Sequence, residues 1–118
     1  EVAPGVHANG RMTLGENIAD HGGLQVSYQA FKKATAAAPL EVKDGFTPEQ
    51  RFFLAYANVW ANNTRPEAIL QLTKIDVHSL GKWRVDAALP HIAAWYEAFG
   101  ITEKDPMYVP VAERVSIW

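Results

Sequence analysis

The sequence contains no cysteine, which excludes disulfides, thiolate zinc ligands and thiol nucleophiles. It also lacks any run of about 18 apolar residues, so it predicts no membrane-spanning helix. Positive charge is not in excess, because 11 Lys and Arg stand against 13 Asp and Glu for a net charge of −2. Binding to nucleic acid or to an anionic membrane surface needs a clustered positive excess, so neither is expected. The first ten residues have neither the basic nor the apolar region of a signal peptide.

The apolar content is sufficient for a core, since 48% of the 118 residues are hydrophobic and 20% are charged. This length fits one domain or part of one, and a first residue that is Glu rather than Met suggests excision from a longer chain. The pattern predicts a mainly α fold of about four helices joined by long ordered loops. The predicted helices run from Thr13 to about Ala38, Thr47 to about Trp60, Thr64 to about Leu72, and Leu89 to Phe99.

Capping signals set these boundaries. Thr13-x-x-Glu16 has the spacing of a capping box, and Thr47-Pro48-Glu49-Gln50 combines a Thr N-cap, Pro at the first helical position and Gln at the third. Gly100 is placed to end the last helix in the left-handed conformation. Residues 74–88 show no helical period and contain Gly81, which predicts a loop there.

The second predicted helix is apolar on nearly every side between Phe52 and Trp60. A helix of this kind is normally buried on most of its faces. Three other short helices offer little material to cover it. The helix therefore either lies at the centre of the chain or packs against a partner that the chain does not contain.

The first predicted helix carries two different faces. At 100° per residue, an apolar arc is formed by Leu14, Ile18, His21, Leu24, Tyr28 and Phe31. We expect His21 to be a core or partly buried histidine. The other arc holds Glu16, Asp20, Gly23 and Ser27. It is interpreted either as a solvated acidic edge favoured by the helix dipole, or as a metal ligand with a supporting carboxylate and two small residues that let another helix approach.

A second candidate site is the segment from Asp76 to Arg84. Asp76 lies two residues before His78, so in an extended stretch the two side chains share a face, and the carboxylate would orient the imidazole and favour its charged form. A cationic His78 close to Arg84 would suit a developing oxyanion and a substrate carbonyl. The alternative is an ordinary loop salt bridge.

Four blocks of sequence resemble the neprilysin family of zinc metalloendopeptidases, in the order in which that family has them. Glu16-Asn17-Ile18-Ala19-Asp20-His21-Gly22-Gly23 resembles the motif Glu-Asn-Ile-Ala-Asp-x-Gly-Gly. The remaining blocks are 52–60 with Arg65-Pro66-Glu67, then 76–79 with Gly81 and Arg84-Val85, and finally 97–99 with the terminal Ile117-Trp118. The resemblance covers nearly the whole chain.

This resemblance implies a role for each matching residue. Glu16 matches the third zinc ligand, and Asp20 matches the carboxylate that orients a zinc-bound histidine. His78 matches the histidine that stabilises the oxyanion, and Arg84 matches the arginine that binds a substrate backbone carbonyl. Val59 and Trp60 match the lining of the pocket for the side chain just after the cleaved bond. That Asp76 orients His78 is our inference from their spacing.

The chain contains no H-E-x-x-H motif, which in this family supplies two zinc ligands and the general base. We therefore interpret residues 1–118 as the C-terminal fragment of a peptidase catalytic domain, inactive alone and without zinc of its own. The resemblance implies a parent that uses one zinc ion, cleaves peptides on the amino side of apolar residues, and functions outside the cytoplasm. Expected partners are a peptide substrate, the missing N-terminal part of the chain, and a second copy through self-association. The alternative is a non-catalytic α-helical interaction module.

Overall fold

A computed structural model of the chain describes residues 1–117, so the match of Trp118 to the family's carboxy terminus lies outside the described residues. The fold is mainly α, as predicted, and residues 1–117 contain no strand beyond two isolated bridges. Five α-helices replace the four expected: α1 Gly10–Thr35, α2 Pro48–Val59, α3 Pro66–Ile75, α4 Gly81–Asp86 and α5 Ala93–Phe99. Two short 3₁₀ segments, Leu89–His91 and Val111–Glu113, flank α5 in the chain.

The start of α1 differs from the prediction because Asn9, not Thr13, is the N-cap. The Asn9 side chain accepts a hydrogen bond from the backbone N–H of Met12 at 3.3 Å. Thr13 is buried inside the first turn, where its hydroxyl donates to the Asn9 carbonyl at 3.3 Å. The capping box predicted at Thr13 and Glu16 is therefore wrong. Since Glu16 is not used as a cap, its carboxylate is available to other groups.

The predicted start of α2 and the predicted end of α5 rest on caps that the structure contains. The Thr47 hydroxyl accepts from Gln50 N at 3.2 Å, and the Gln50 side chain accepts from Thr47 N at 3.0 Å. This reciprocal pair is the predicted capping box. Gly100 ends α5 with φ of 63°, a left-handed conformation that glycine adopts without strain.

The loop predicted for residues 74–88 is wrong, because α3 extends to Ile75 and Gly81 begins α4. The glycine serves close packing here. A Cβ at this position would lie 2.7 Å from the Trp60 carbonyl oxygen, so α4 can start against the end of α2 only with a glycine. The helix predicted from Leu89 to Phe99 is also interrupted, since its first residues form the 3₁₀ segment.

The core is formed where α1, α2 and α5 meet, around Leu24, Phe53, Leu89, Ile92, Trp95 and Tyr96. His21 is buried as expected. Other apolar side chains of α1 and α2 are exposed, which favours the second of the two alternatives for α2, a partner that the chain does not contain. Leu54 and Val59 of α2 are 40% and 71% exposed, and Leu14 and Ile18 of α1 are 56% and 47% exposed. The apolar face of each helix therefore extends beyond what residues 1–117 cover. No helix in that range is long and apolar enough to cross a membrane.

Candidate active site

Helix α1 and the segment 76–84 meet through three polar side-chain contacts. Glu16 Oε2 lies 3.2 Å from His78 Nε2. The Ser79 hydroxyl donates to Asn17 Oδ1 at 2.7 Å. Asp20 pairs with Arg84. Residues more than 60 positions apart in the chain are thus brought to one edge of the molecule, and they include four of the six to which the family resemblance gives a role: Glu16, Asp20, His78 and Arg84.

The Asp20–Arg84 pair is the more buried of the two ion pairs. Arg84 Nε donates to Asp20 Oδ2 and Nη2 donates to Oδ1, each at 2.6 Å. The two side chains are only 15% and 14% exposed. The hydrogen bond with Asp20 holds the pKa of Arg84 above its usual value, so the charge is retained despite burial. A two-bond fork of this kind fixes the plane of the guanidinium as well as its position.

Two aromatic residues also contact Arg84: Tyr56 of α2, and Trp60, which directly follows α2. The Arg84 guanidinium carbon lies 3.8 Å from the centre of the Trp60 ring, in a cation–π contact. The Tyr56 hydroxyl donates to the Arg84 carbonyl at 2.8 Å. Burial raises the pKa of Tyr56, which keeps this hydroxyl a donor. Sequence analysis assigned Tyr56 no role. The sequence did contain a sign of it, because Tyr56 lies four residues before Trp60, a predicted site residue, and therefore on the same side of the helix.

His78 lies between two carboxylates. Asp76 Oδ1 accepts from the backbone N–H of His78 at 2.9 Å and lies 2.8 Å from the ring Nδ1. These hydrogen bonds, the backbone one first, lower the pKa of Asp76. With Nδ1–H facing Asp76, the imidazole can also donate from Nε2 to Glu16 only in its doubly protonated form. The spacing of Asp76 and His78 had predicted this shared face.

The Glu16–His78 pair is open to solvent, with both side chains 42% exposed. No group of three His, Asp or Glu residues within residues 1–117 is arranged to hold a metal ion. A catalytic zinc takes three protein ligands and accepts carboxylate oxygen. An exposed carboxylate such as that of Glu16 has the chemistry of one such ligand.

A cavity of about 240 Å³ opens beside these residues, between the end of α2 and segment 76–81. Its lining is formed by Trp60, Asn62, Thr64, Leu72, Asp76, His78, Ser79, Leu80, Gly81 and Arg84. Four predicted site residues therefore face one space: Trp60, Asp76, His78 and Arg84. Val59, which was predicted with Trp60 to line a substrate pocket, is not part of this lining and is largely exposed.

The sequence analysis predicted no role for Asn17 or Ser79 in the site. Each is the immediate neighbour of a predicted site residue, Asn17 following Glu16 and Ser79 following His78. Their hydrogen bond depends on how α1 and the segment cross, which no local pattern specifies.

The sequence and the fold of this chain are similar to those of known peptidases. The model of peptidase family M13 matches residues 1–115. Membrane metallo-endopeptidase-like 1 from Homo sapiens is 39% identical over 121 residues, and human neprilysin is 36% identical over the same length. The zinc metalloprotease Zmp1 of Mycobacterium tuberculosis, solved by cryo-electron microscopy in an open state, superposes with a TM-score of 0.90 at 34% identity over 95% of this chain.

The chain is short beside these relatives. It covers 15% of the length of the human membrane metallo-endopeptidase-like 1, 16% of neprilysin and 17% of the Zmp1 chain. The chain that holds Glu16, Asp20, His78 and Arg84 therefore spans about a sixth of the length of each of these relatives.

Proposed function

This chain belongs to peptidase family M13, and we propose that it forms part of the active site of a zinc-dependent endopeptidase that cleaves on the amino side of apolar residues. The observation that carries the proposal is the meeting of Glu16, Asp20, His78 and Arg84 at one edge of the fold. A zinc peptidase needs a metal ligand, an oxyanion donor and a substrate-backbone donor in one cleft, and these residue types can supply all three.

Glu16 is the proposed zinc ligand of this chain. When bound, zinc polarises the substrate carbonyl and activates water. The remaining ligands and the general base would come from an H-E-x-x-H helix upstream. Asp20, one turn after Glu16, would face that helix, and we propose that it orients a zinc-bound histidine while it holds Arg84.

His78 is the proposed oxyanion donor. Asp76 holds Nδ1 and thereby fixes the direction of Nε2. In the chain described here, Nε2 faces Glu16. If Glu16 served as a zinc ligand, the Nε2–H group of His78 would be free to donate to a substrate oxygen. Negative charge that develops on that oxygen would be stabilised by a preorganised positive donor.

Arg84 is the proposed donor to a substrate backbone carbonyl. The fork with Asp20 uses Nε and Nη2, and Nη1 has no acceptor among residues 1–117. A guanidinium that is already held in place loses little freedom when it binds. Trp60, which lies against Arg84 in the same cavity, together with Val59 at the end of α2, would contact the apolar side chain that follows the cleaved bond.

The test uses the full-length protein. We expect its gene to encode H-E-x-x-H about 40–70 residues before Glu16, the range that resemblance suggests, and the purified protein to cleave a peptide before an apolar residue. A chelator should abolish cleavage and zinc should restore it, whereas the 118-residue chain alone should be inactive. Absence of the motif together with absence of cleavage would instead favour the interaction module. A Glu16→Ala control excludes contaminating peptidase.

Two further proposals concern the exposed apolar residues of the chain and the place where the parent acts. We propose that Leu14, Ile18 and Leu54 are covered by the upstream part of the parent, and that the isolated chain self-associates through them. We also propose that the parent acts outside the cytoplasm, as its membership of this family suggests. Light scattering of the chain and localisation of the parent test these two proposals.

A further inference from the structure

The hydrogen bond between Ser79 and Asn17 lies directly beside the exposed pair. Asn17 is the residue after Glu16, and Ser79 is the residue after His78. The Ser79 hydroxyl donates to Asn17 Oδ1 at 2.7 Å. This hydrogen bond therefore links α1 directly to the loop of residues 76–80, which joins α3 to α4. It lies one residue away from each member of the Glu16–His78 pair.

The amide of Asn17 is held at both ends. Its Nδ2 donates to the Thr13 hydroxyl at 3.3 Å, and Thr13, which is 5% exposed, donates in turn to the Asn9 carbonyl. A side chain that donates at one end and accepts at the other is required at position 17, which an amide satisfies. The acceptor that Ser79 uses is therefore fixed relative to α1.

The neighbouring contacts do not fix the loop in the same way. Asp76 holds the His78 ring from within the loop itself, so it does not set the distance of the loop from α1. The Glu16–His78 contact is lost when Glu16 serves as a ligand. The Arg84 fork is attached within α4, beyond the end of the loop.

We propose that Asn17 and Ser79 are positioning residues that hold His78 at its working distance from Glu16 in the zinc-loaded peptidase. This inference rests on the proposed function. It assigns to the pair a role in aligning the oxyanion donor, and no contact with substrate or metal.

The experiment measures kcat, KM and zinc content of the full-length enzyme for Ser79→Ala, alone and combined with His78→Ala. Loss of one hydrogen bond should lower kcat about 3- to 10-fold, with KM and zinc unchanged. In the His78→Ala background, Ser79→Ala should have no further effect, because the group it aligns is gone. Ser79→Thr keeps the hydroxyl and should restore kcat. Thr35→Ala, which removes a hydroxyl bonded to the Phe31 carbonyl at the far end of α1, is the matched control and should leave kcat unchanged.

Two results would overturn the inference while leaving the role of His78 intact. One is an unchanged kcat for Ser79→Ala in the otherwise native enzyme. The other is the same fold-loss in both backgrounds, which would mean that Ser79 acts through the general structure. If His78→Ala itself had normal kcat, the proposed role of His78 would fail, and the positioning inference would fail with it.

Discussion

The two ion pairs that join α1 to segment 76–84 are built differently. Asp20 and Arg84 share two hydrogen bonds of 2.6 Å and are about 15% exposed, and the Arg84 guanidinium lies against the Trp60 ring. Glu16 and His78 share one contact of 3.2 Å and are 42% exposed. A buried fork resists rearrangement, whereas a solvated single contact contributes little and is readily exchanged. The first pair therefore suits a fixed framework, and the second suits groups that must take new partners during a reaction.

Among the substitutions that distinguish the two pairs, Glu16→Ala in the full-length enzyme should have the largest effect. Because Glu16 is the proposed ligand, both zinc and activity should be lost. Stability of the 118-residue chain should change by only about 1 kcal/mol or less, because the pair is exposed. Zinc analysis, peptide hydrolysis and urea unfolding measure the three quantities. Retention of zinc with full activity would contradict the assignment.

His78→Ala should have the next largest effect. Loss of an oxyanion donor typically costs about 10²- to 10³-fold in kcat, and zinc should be retained because His78 is not a proposed ligand. Steady-state kinetics and zinc analysis of the purified variant test both statements. Loss of the metal would show that His78 belongs to the ligand set.

Asp20→Ala removes the buried pair and, unlike Glu16→Ala, should have a large effect on the stability of the 118-residue chain. It leaves Arg84 buried without its partner, which should destabilise the 118-residue chain by about 3–5 kcal/mol. Equilibrium unfolding in urea measures this loss. Asp20→Ala combined with Arg84→Met, which removes the stranded charge, should recover part of the stability. An Asp20→Ala chain as stable as the Glu16→Ala chain would remove the distinction between the two pairs.

Gly81→Ala should disturb the same framework more mildly. The added Cβ would meet the Trp60 carbonyl oxygen at 2.7 Å, so α4 must shift away from α2. Overpacking of this kind costs about 1–3 kcal/mol. Gly23→Ala is the matched control, since a Cβ there would meet nothing within 4 Å. Equal stability of the two variants would argue against the close approach.

The smallest expected effect concerns pH. Burial, and then the nearby His91, lower the pKa of His21 below its usual value of about 6.5. The unfolded chain therefore binds more protons below about pH 6.5, and the contribution of His21 makes the free energy of unfolding fall as pH drops through that value. In urea unfolding between pH 7.5 and 5.5, His21→Gln should show less of this fall. An unchanged slope would exclude His21 as its source.

Local sequence signals predicted some elements well and missed others for physical reasons. The capping box at Thr47 and the left-handed Gly100 follow from contacts within a few residues, and both predictions are confirmed. Helix α4 was missed because Gly81 resembles a helix breaker until the carbonyl of Trp60 is seen beside it. The start of α1 was missed because Asn9 caps the helix before Thr13 can do so.

Some contacts of the candidate site were likewise predicted from the sequence, and others were not. Spacing predicted that Asp76 and His78 share a face, and resemblance brought Glu16, Asp20 and Arg84 into one hypothesis. The hydrogen bond between Asn17 and Ser79 joins positions 62 residues apart. It depends on the crossing of α1 with the loop, and the sequence contains no local sign of that crossing. The catalytic roles themselves stay predictions.

The role of Glu16 as a zinc ligand would be decided by a crystal structure of the full-length enzyme with zinc bound. We expect a Glu16 oxygen about 2.0–2.2 Å from the metal, with His78 Nε2 released from Glu16 and turned toward the cleft, and with the Asp20–Arg84 fork unchanged. A zinc ion bound without Glu16, or bound through His78, would contradict this expectation.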